Sequence, residues 1–252
     1  MKRFSALAGL VLGCWSLPAF AQGTDEFGSY RGREEHQRFE SGQSVAVELR
    51  FGPYPPAVDE EFNGATPFAD TFGNDTRFLF GFEFDWQLLR IPGFGSLGPG
   101  FGWGFTTFSA DAPLADGTGT SNQETSLSIM PMYVVGVMRV DVLAREANIP
   151  VVPYAKLGLG YALWWVSDGS DTARDRQGVS GEGSSLGWQY ALGGMLLLDF
   201  FDPGAAIELD NTTGVNNSYF FAEWYVSKLG SFGGDQMHVG TNTWIIGLAL
   251  EI

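Results

Sequence analysis

Eight stretches of the chain alternate between large apolar residues and small or polar ones. A period of two belongs to β-strands, because successive side chains leave a strand on opposite faces. The clearest case runs from Arg77 to Leu88. Phe78, Phe80, Phe82, Phe84, Trp86 and Leu88 share one face; Arg77, Leu79, Gly81, Glu83, Asp85 and Gln87 share the other. The remaining runs carry Val45-Val47-Leu49-Phe51, Leu97-Phe101-Trp103-Phe105, Leu127-Ile129-Pro131-Tyr133-Val135-Val137, Leu157-Leu159-Tyr161-Leu163-Trp165, Leu186-Trp188-Tyr190-Leu192-Leu196-Leu198 and Trp244-Ile246-Leu248-Leu250 on their apolar faces. In the run from Tyr219 to Val226 both faces are apolar enough that the inward one stays open. Most runs offer the roughly nine to eleven residues that a tilted strand needs to cross a bilayer.

A soluble sandwich or a secreted lipocalin-like barrel would alternate in the same way with its faces reversed. Two features favour lipid on the outside. The polar-face residues are mostly glycine and serine, too small and too few to form a water-facing surface. The apolar face also carries Trp86, Trp165, Trp224, Trp244 and Tyr225 near strand ends, where interfacial girdles sit. The expectation is an all-β fold: a transmembrane antiparallel up-and-down β-barrel over residues 43–252. It has eight strands, with ten as the alternative count.

Composition excludes other classes. With 44% hydrophobic and 15% aromatic residues the chain is not a disordered polar polymer, and its 35 glycines do not suit long helices. A net charge of −15 leaves no basic footprint for nucleic acid. Beyond residue 21 no uninterrupted apolar stretch is long enough for a membrane helix; Ile91 to Ala110, which is free of charge, is broken by Pro92, Pro99 and repeated glycine.

Met1-Lys2-Arg3, an apolar stretch to Leu17 and Ala19-Phe20-Ala21 read as a secretory signal over 1–21. Val11-Leu12-Gly13-Cys14 resembles a lipobox, but the chain stays apolar through Phe20, which favours cleavage after Ala21. That cleavage would remove the single cysteine, Cys14, and with it any disulfide or thiol chemistry. Residues 22–42, rich in Arg and Glu, read as a flexible polar periplasmic arm. Outer-membrane localisation and dependence on the barrel-assembly machinery follow as expectations. The C-terminal alternation ends in Ile252 where assembly signals carry an aromatic.

With an even strand count both termini lie on the periplasmic side, and the connections 54–75, 110–121, 167–183 and 229–239 become long external loops. The second connection, Arg90 to Gly95, is short. The fourth (139–152) and sixth (199–216) are longer, so they are either decorated turns or a missed strand pair. Asp202-Pro203-Gly204 followed by Ala205 to Asp210 reads as a short helix. Pro131 cannot donate to a ladder, which suggests a bulge.

Several motifs carry a family resemblance. Arg50-Phe51-Gly52-Pro53-Tyr54-Pro55-Pro56, Gly81-Phe82-Glu83-Phe84-Asp85-Trp86, Gly95-Ser96-Leu97-Gly98-Pro99-Gly100-Phe101-Gly102-Trp103-Gly104, Ile149-Pro150-Val151-Val152-Pro153-Tyr154-Ala155-Lys156 and Ala162-Leu163-Trp164-Trp165 resemble a family of myxobacterial outer-membrane β-barrel proteins of unknown function. The architecture is similar to the eight-stranded outer-membrane protein A type. The resemblance implies an outer-membrane barrel and brings no activity.

Candidate chemistry is sparse. Arg50, Arg77 and Lys156 fall on the expected inner face with Glu48, Glu83, Asp85, Glu223 and Glu251. Buried charges must be paired or wet, so they imply either an ion-pair plug or a narrow ion-selective pore. Eight strands leave an interior that side chains about fill, which favours the plug. A lipid-modifying enzyme would draw on His238 with Ser227, Ser231 and Glu223, although no His-x-Ser spacing is present; His36 sits in the polar arm. Asp59-Glu60-Glu61 and Asp168-Gly169-Ser170-Asp171 are carboxylate groups that could hold calcium, yet neither matches an EF-hand. The external segments are acidic overall: Asp59, Glu60, Glu61, Asp70, Asp75, Asp111, Asp116, Asp168, Asp171, Asp175, Glu182 and Asp235 stand against Arg174 and Arg176. Lipopolysaccharide, outer-membrane lipid and bridging divalent cations are the expected partners. No catalytic, cofactor or metal residue is assigned. The leading expectation is a structural or surface-interaction barrel with a plugged lumen, ahead of a narrow channel for small solutes or ions.

Overall fold

The computed structural model describes residues 45–73, 76–113, 120–169, 171–173, 178, 180–233 and 236–252. The expected leader (1–21) and polar arm (22–42) lie outside them. Ten strands follow in chain order: β1 (Val45–Pro53), β2 (Phe78–Trp86), β3 (Leu89–Ile91), β4 (Gly95–Pro113), β5 (Thr120–Arg139), β6 (Val151–Asp168), β7 (Asp171–Thr172), β8 (Glu182–Leu197), β9 (Asn217–Leu229) and β10 (Thr241–Glu251). Eight of them close a ring in the order β1-β2-β4-β5-β6-β8-β9-β10, with β10 returning to β1. Every neighbour is antiparallel. The short β3 pairs with β4 beyond the end of β2, and the two-residue β7 pairs back on β6. Among the described residues no helix is long and apolar enough to cross a membrane.

The outer face is apolar. Phe84, Trp86, Phe101, Leu157, Leu192 and Trp244 are all exposed, Trp244 at 63%. On a water-facing surface such a continuous belt would be a large unfavourable patch; in lipid it is the favourable face, and the closed ring leaves no strand edge within it. The inner face carries Glu48, Arg50, Glu83, Asp85, Lys156 and Glu223, all buried. For β1, β2, β4, β6, β8 and β10 the faces are those that the alternation predicts. In β9 the open question resolves with Tyr219, Phe221, Glu223 and Tyr225 inward. Tyr225 is therefore a lumen residue and not part of a girdle.

β5 reverses the expectation. Leu127, Ile129, Tyr133, Val135 and Val137 point inward and are buried, while Val134 and Met138 face out. The reason lies on the neighbouring strand. Tyr133, Val135 and Val137 stand opposite Gly102, Gly100 and Gly98 of β4, so large side chains occupy the space that glycine leaves. A Cβ at Gly102 would fall within the Tyr133 ring, and one at Gly100 would collide with the Asp85 carboxylate.

Other expectations need correction. The connection expected over 110–121 is strand at both ends, since β4 continues to Pro113 and β5 starts at Thr120, with 114–119 outside the described residues. Pro131 causes no bulge: it pairs with Ala162 of β6, and the β4–β5 register is the same on both sides of it. The register shift falls between Asp111 and Pro113 instead. The fourth and sixth connections are decorated turns. They carry α2 (Val142–Glu146) and α3 (Pro203–Thr213), and the Asp202 carboxylate caps α3 by accepting from the Ala205 amide at 3.0 Å. Gly214 ends α3 in the left-handed conformation at φ 74°. In the first connection α1 (Pro67–Phe72) follows a 3-10 turn over Val58–Glu61.

Candidate functional site: the ion-paired lumen

The β1 alternation places Glu48 and Arg50 inward, and the register sets them beside Glu83 and Gly81 of β2 and Ala249 and Gly247 of β10. The small partners leave room for long charged side chains to reach across the lumen. Arg50 lies 2.7 Å from both Glu48 and Glu83 and also pairs with Glu223 of β9, one strand beyond β10. Lys156 of β6 reaches Glu83 at 2.6 Å, Glu48 at 2.8 Å and Glu223 at 3.6 Å. Arg139, at the end of β5, joins Asp85 at 2.5 Å, Glu251 at 3.2 Å and Glu48 at 3.3 Å.

Tyrosines complete the layer. The Tyr133 hydroxyl donates to Glu83 at 2.5 Å, Tyr154 to Glu223 at 2.8 Å and Tyr219 to Glu251 at 2.9 Å. Asn217 and Gln87 also donate to Glu251. Three cations thus answer five carboxylates, and Asp85 Oδ1 is buried without a hydrogen-bond partner. The layer joins strands β1, β2, β5, β6, β9 and β10. Isolated charges in this position would each cost several kcal/mol, so pairing is what lets them stay.

Above this layer, toward the end bearing the first and last connections, the interior mixes apolar side chains with the buried hydroxyls of Thr106, Ser185 and Ser227 and the Gln189 amide. Leu79, Phe108, Leu127 and Ile129 are buried there, with Phe68 and Phe72 of α1 packed on Phe108. The first and last connections clasp each other over that end. The Tyr54 hydroxyl donates to the Val239 carbonyl at 2.7 Å, the Ala57 amide donates to the Gly240 carbonyl at 2.8 Å, and the Thr241 hydroxyl donates to the Pro55 carbonyl at 2.8 Å.

Among the residues singled out from sequence, Glu48, Arg50, Glu83, Asp85, Lys156, Glu223 and Glu251 come together as one network. Arg77 precedes β2, half-buried, where its carbonyl accepts from the Tyr54 amide. Arg139 was missed: it was assigned to a connection, and only the corrected face of β5, which it shares with Tyr133 and Val137, turns it inward.

The His238 group does not assemble into a relay. Glu223 is engaged by Arg50 and Tyr154. The Ser227 hydroxyl accepts from the Thr241 amide at 3.0 Å, and the Ser231 hydroxyl donates to the Lys228 carbonyl. The His238 amide donates to Glu61. Of the calcium candidates, Asp59 is occupied as the cap of α1, accepting from the Phe68 and Ala69 amides at 2.7 and 3.1 Å. The backbones of Asp168 and Asp171 are register partners in the β6–β7 hairpin, and Ser170 lies outside the described residues. Carboxylate oxygens of Glu48, Glu83 and Asp85 lie within 4.8 Å of one another, but Arg50, Lys156 and Arg139 already sit on them.

No protein-family model and no curated protein matches the chain. Solved structures with similar backbones do exist. The Ail attachment invasion protein of Yersinia pestis, crystallised with the heparin analogue sucrose octasulfate, is 15% identical; the match covers 83% of this chain and 97% of Ail with a TM-score of 0.43. The chain itself closes as an eight-stranded antiparallel barrel with an apolar outer belt. The N-terminal barrel domain of Pseudomonas aeruginosa OprF is 10% identical, with 84% and 100% covered and a TM-score of 0.39. The outer-membrane enzyme PagL is 12% identical, with 82% and 99% covered and a TM-score of 0.40.

Proposed function

We propose that this chain is an outer-membrane barrel of the myxobacterial type whose lumen is closed and whose work is done at its surface, as a scaffold for contacts with lipid, lipopolysaccharide or another protein. The observation that carries the reading is the network in which Arg50, Lys156 and Arg139, from β1, β6 and β5, hold five carboxylates on β1, β2, β9 and β10. A conducting path needs charged groups that face water. Here they face one another, and the buried side chains of Leu79, Phe108 and Ile129 lie above them. Charges satisfied by one another in this way support a plugged lumen.

The test is single-channel recording of purified barrel in planar bilayers. A closed lumen gives no steady conductance steps at moderate voltage. Reproducible open steps, altered in size or ion preference by Lys156→Met, would replace the reading with a narrow pore.

A further inference from the structure

The strands are unequal in a way that a bilayer does not require. β1 and β2 have 9 residues each, about the minimum for crossing. β4 has 19, β5 has 20 and β6 has 18. The outer-face pattern marks where the excess lies. On β4 the exposed apolar residues Leu97, Phe101 and Phe105 give way to Thr107, Ser109 and Asp111, whose cross-strand neighbours on β5 are Ser128, Ser126 and Glu124. The β4–β5 hairpin therefore stands above the lipid belt, polar outside, with Phe108 and Leu127 on its inner face covered by α1.

β2 pairs with β4 only as far as Phe80↔Phe105. Beyond that, among the described residues, β4 is paired on one side alone, by β5. The register says which backbone groups are left. The Val140 amide bonds to the Pro153 carbonyl, so even-numbered residues of β5 bond toward β6 and odd-numbered ones toward β4. Their partners on β4 are even-numbered. The amides and carbonyls of Thr107, Ser109 and Asp111 consequently point away from the sheet.

The other side of this wall is treated differently. Where β8 outruns β9, the Leu186 carbonyl accepts from the Gly230 amide and the Leu186 amide donates to the Gln236 side chain at 2.8 Å. One edge is capped and the other is open. An open edge is a template for strand addition.

We propose that the free edge of β4 at Thr107, Ser109 and Asp111 accepts an extended, lysine- or arginine-bearing segment of another polypeptide as an added strand. The charge of the site selects that partner. Asp111 and Glu124 stand directly opposite each other on the outer face, a like-charge pair that is unfavourable on its own. An added strand places its own side chains beside Asp111, where a cation relieves the repulsion. The inference rests on the surface role proposed above, but conductance tests that role and edge binding tests this one, so either can fail alone.

The experiment uses the full chain refolded into lipid nanodiscs and a synthetic peptide of alternating threonine and lysine. Its controls are a threonine–glutamate counterpart and the lysine peptide with alternate amides N-methylated. The expected result is binding of the lysine peptide that weakens with salt and falls by about tenfold or more on N-methylation, because the ladder hydrogen bonds are lost. Ser109→Pro removes the central edge donor without touching a bond to β5 and should give a similar loss, whereas Ser109→Ala should not. Asp111→Lys should transfer the preference to the glutamate peptide. Three outcomes would overturn the proposal: no binding of the lysine peptide, binding indifferent to both N-methylation and Ser109→Pro, or a concentration-dependent barrel dimer that Ser109→Pro abolishes, which would make a second copy the occupant.

Discussion

The inside and the outside of this barrel solve opposite problems with the same backbone. Outside, Phe84, Leu157 and Trp244 meet lipid one by one, and each residue's contribution is separable from its neighbours'. Inside, Arg50, Lys156 and Arg139 are each shared among several carboxylates, so no residue's contribution is its own. The difference teaches where this fold is brittle. An additive surface tolerates single changes in proportion to their size, whereas a buried network fails when one member leaves the others unpaired.

The largest effect should come from Lys156→Met. It leaves Glu48, Glu83 and Glu223 facing each other with one cation fewer in a lumen already rich in carboxylates. Removing one partner of a buried pair costs about 3–5 kcal/mol. Urea unfolding in micelles measures it; a loss below that of a lipid-face substitution would erase the contrast between the two faces.

That contrast was only partly legible in the sequence. The eight strands, the lipid faces of six of them and most lumen charges follow from period two, because glycine and Glu alternate with Phe and Leu in β1, β2 and β10. β5 could not be read in this way. Met130, Met132, Val134 and Met138 on one side and Tyr133, Val135 and Val137 on the other are both apolar, and only pairing with Gly98, Gly100 and Gly102 decides between them. Arg139 was lost with that face. The length of β4 and β5 was hidden for a different reason: above the lipid belt Thr107, Ser109 and Asp111 read as loop residues, although the ladder continues through them.

Phe84→Arg puts a cation on the lipid face and should cost about 2–4 kcal/mol if it sits near the midplane. The same unfolding assay reports it, and a cost that vanished in lipid would mean that Phe84 does not face the membrane. Next comes Gly102→Ala, which forces the Tyr133 ring to move and should cost about 1–3 kcal/mol as overpacking. Tyr133→Phe retains the ring and should not relieve it, while Tyr133→Leu in the same background should. The smallest effect belongs to Glu251→Gln. With five carboxylates to three cations, neutralising one at the margin of the network relieves part of the negative excess while the new amide turns away two of its four donors, so the net cost should be about 1 kcal/mol. An effect as large as that of Lys156→Met would show that the negative excess does not govern the lumen.

The claim that the lumen is held as one ion-paired network is tested most directly by a double-mutant cycle between Arg50 on β1 and Glu223 on β9, which pair past the intervening β10. Arg50→Met, Glu223→Gln and the double variant are unfolded by urea under one set of conditions. A shared network predicts that the double variant loses less than the two singles together, with a coupling of about 0.5–3 kcal/mol. Additivity to within about 0.3–0.5 kcal/mol would contradict it, leaving the two charges as independent neighbours in a wet lumen.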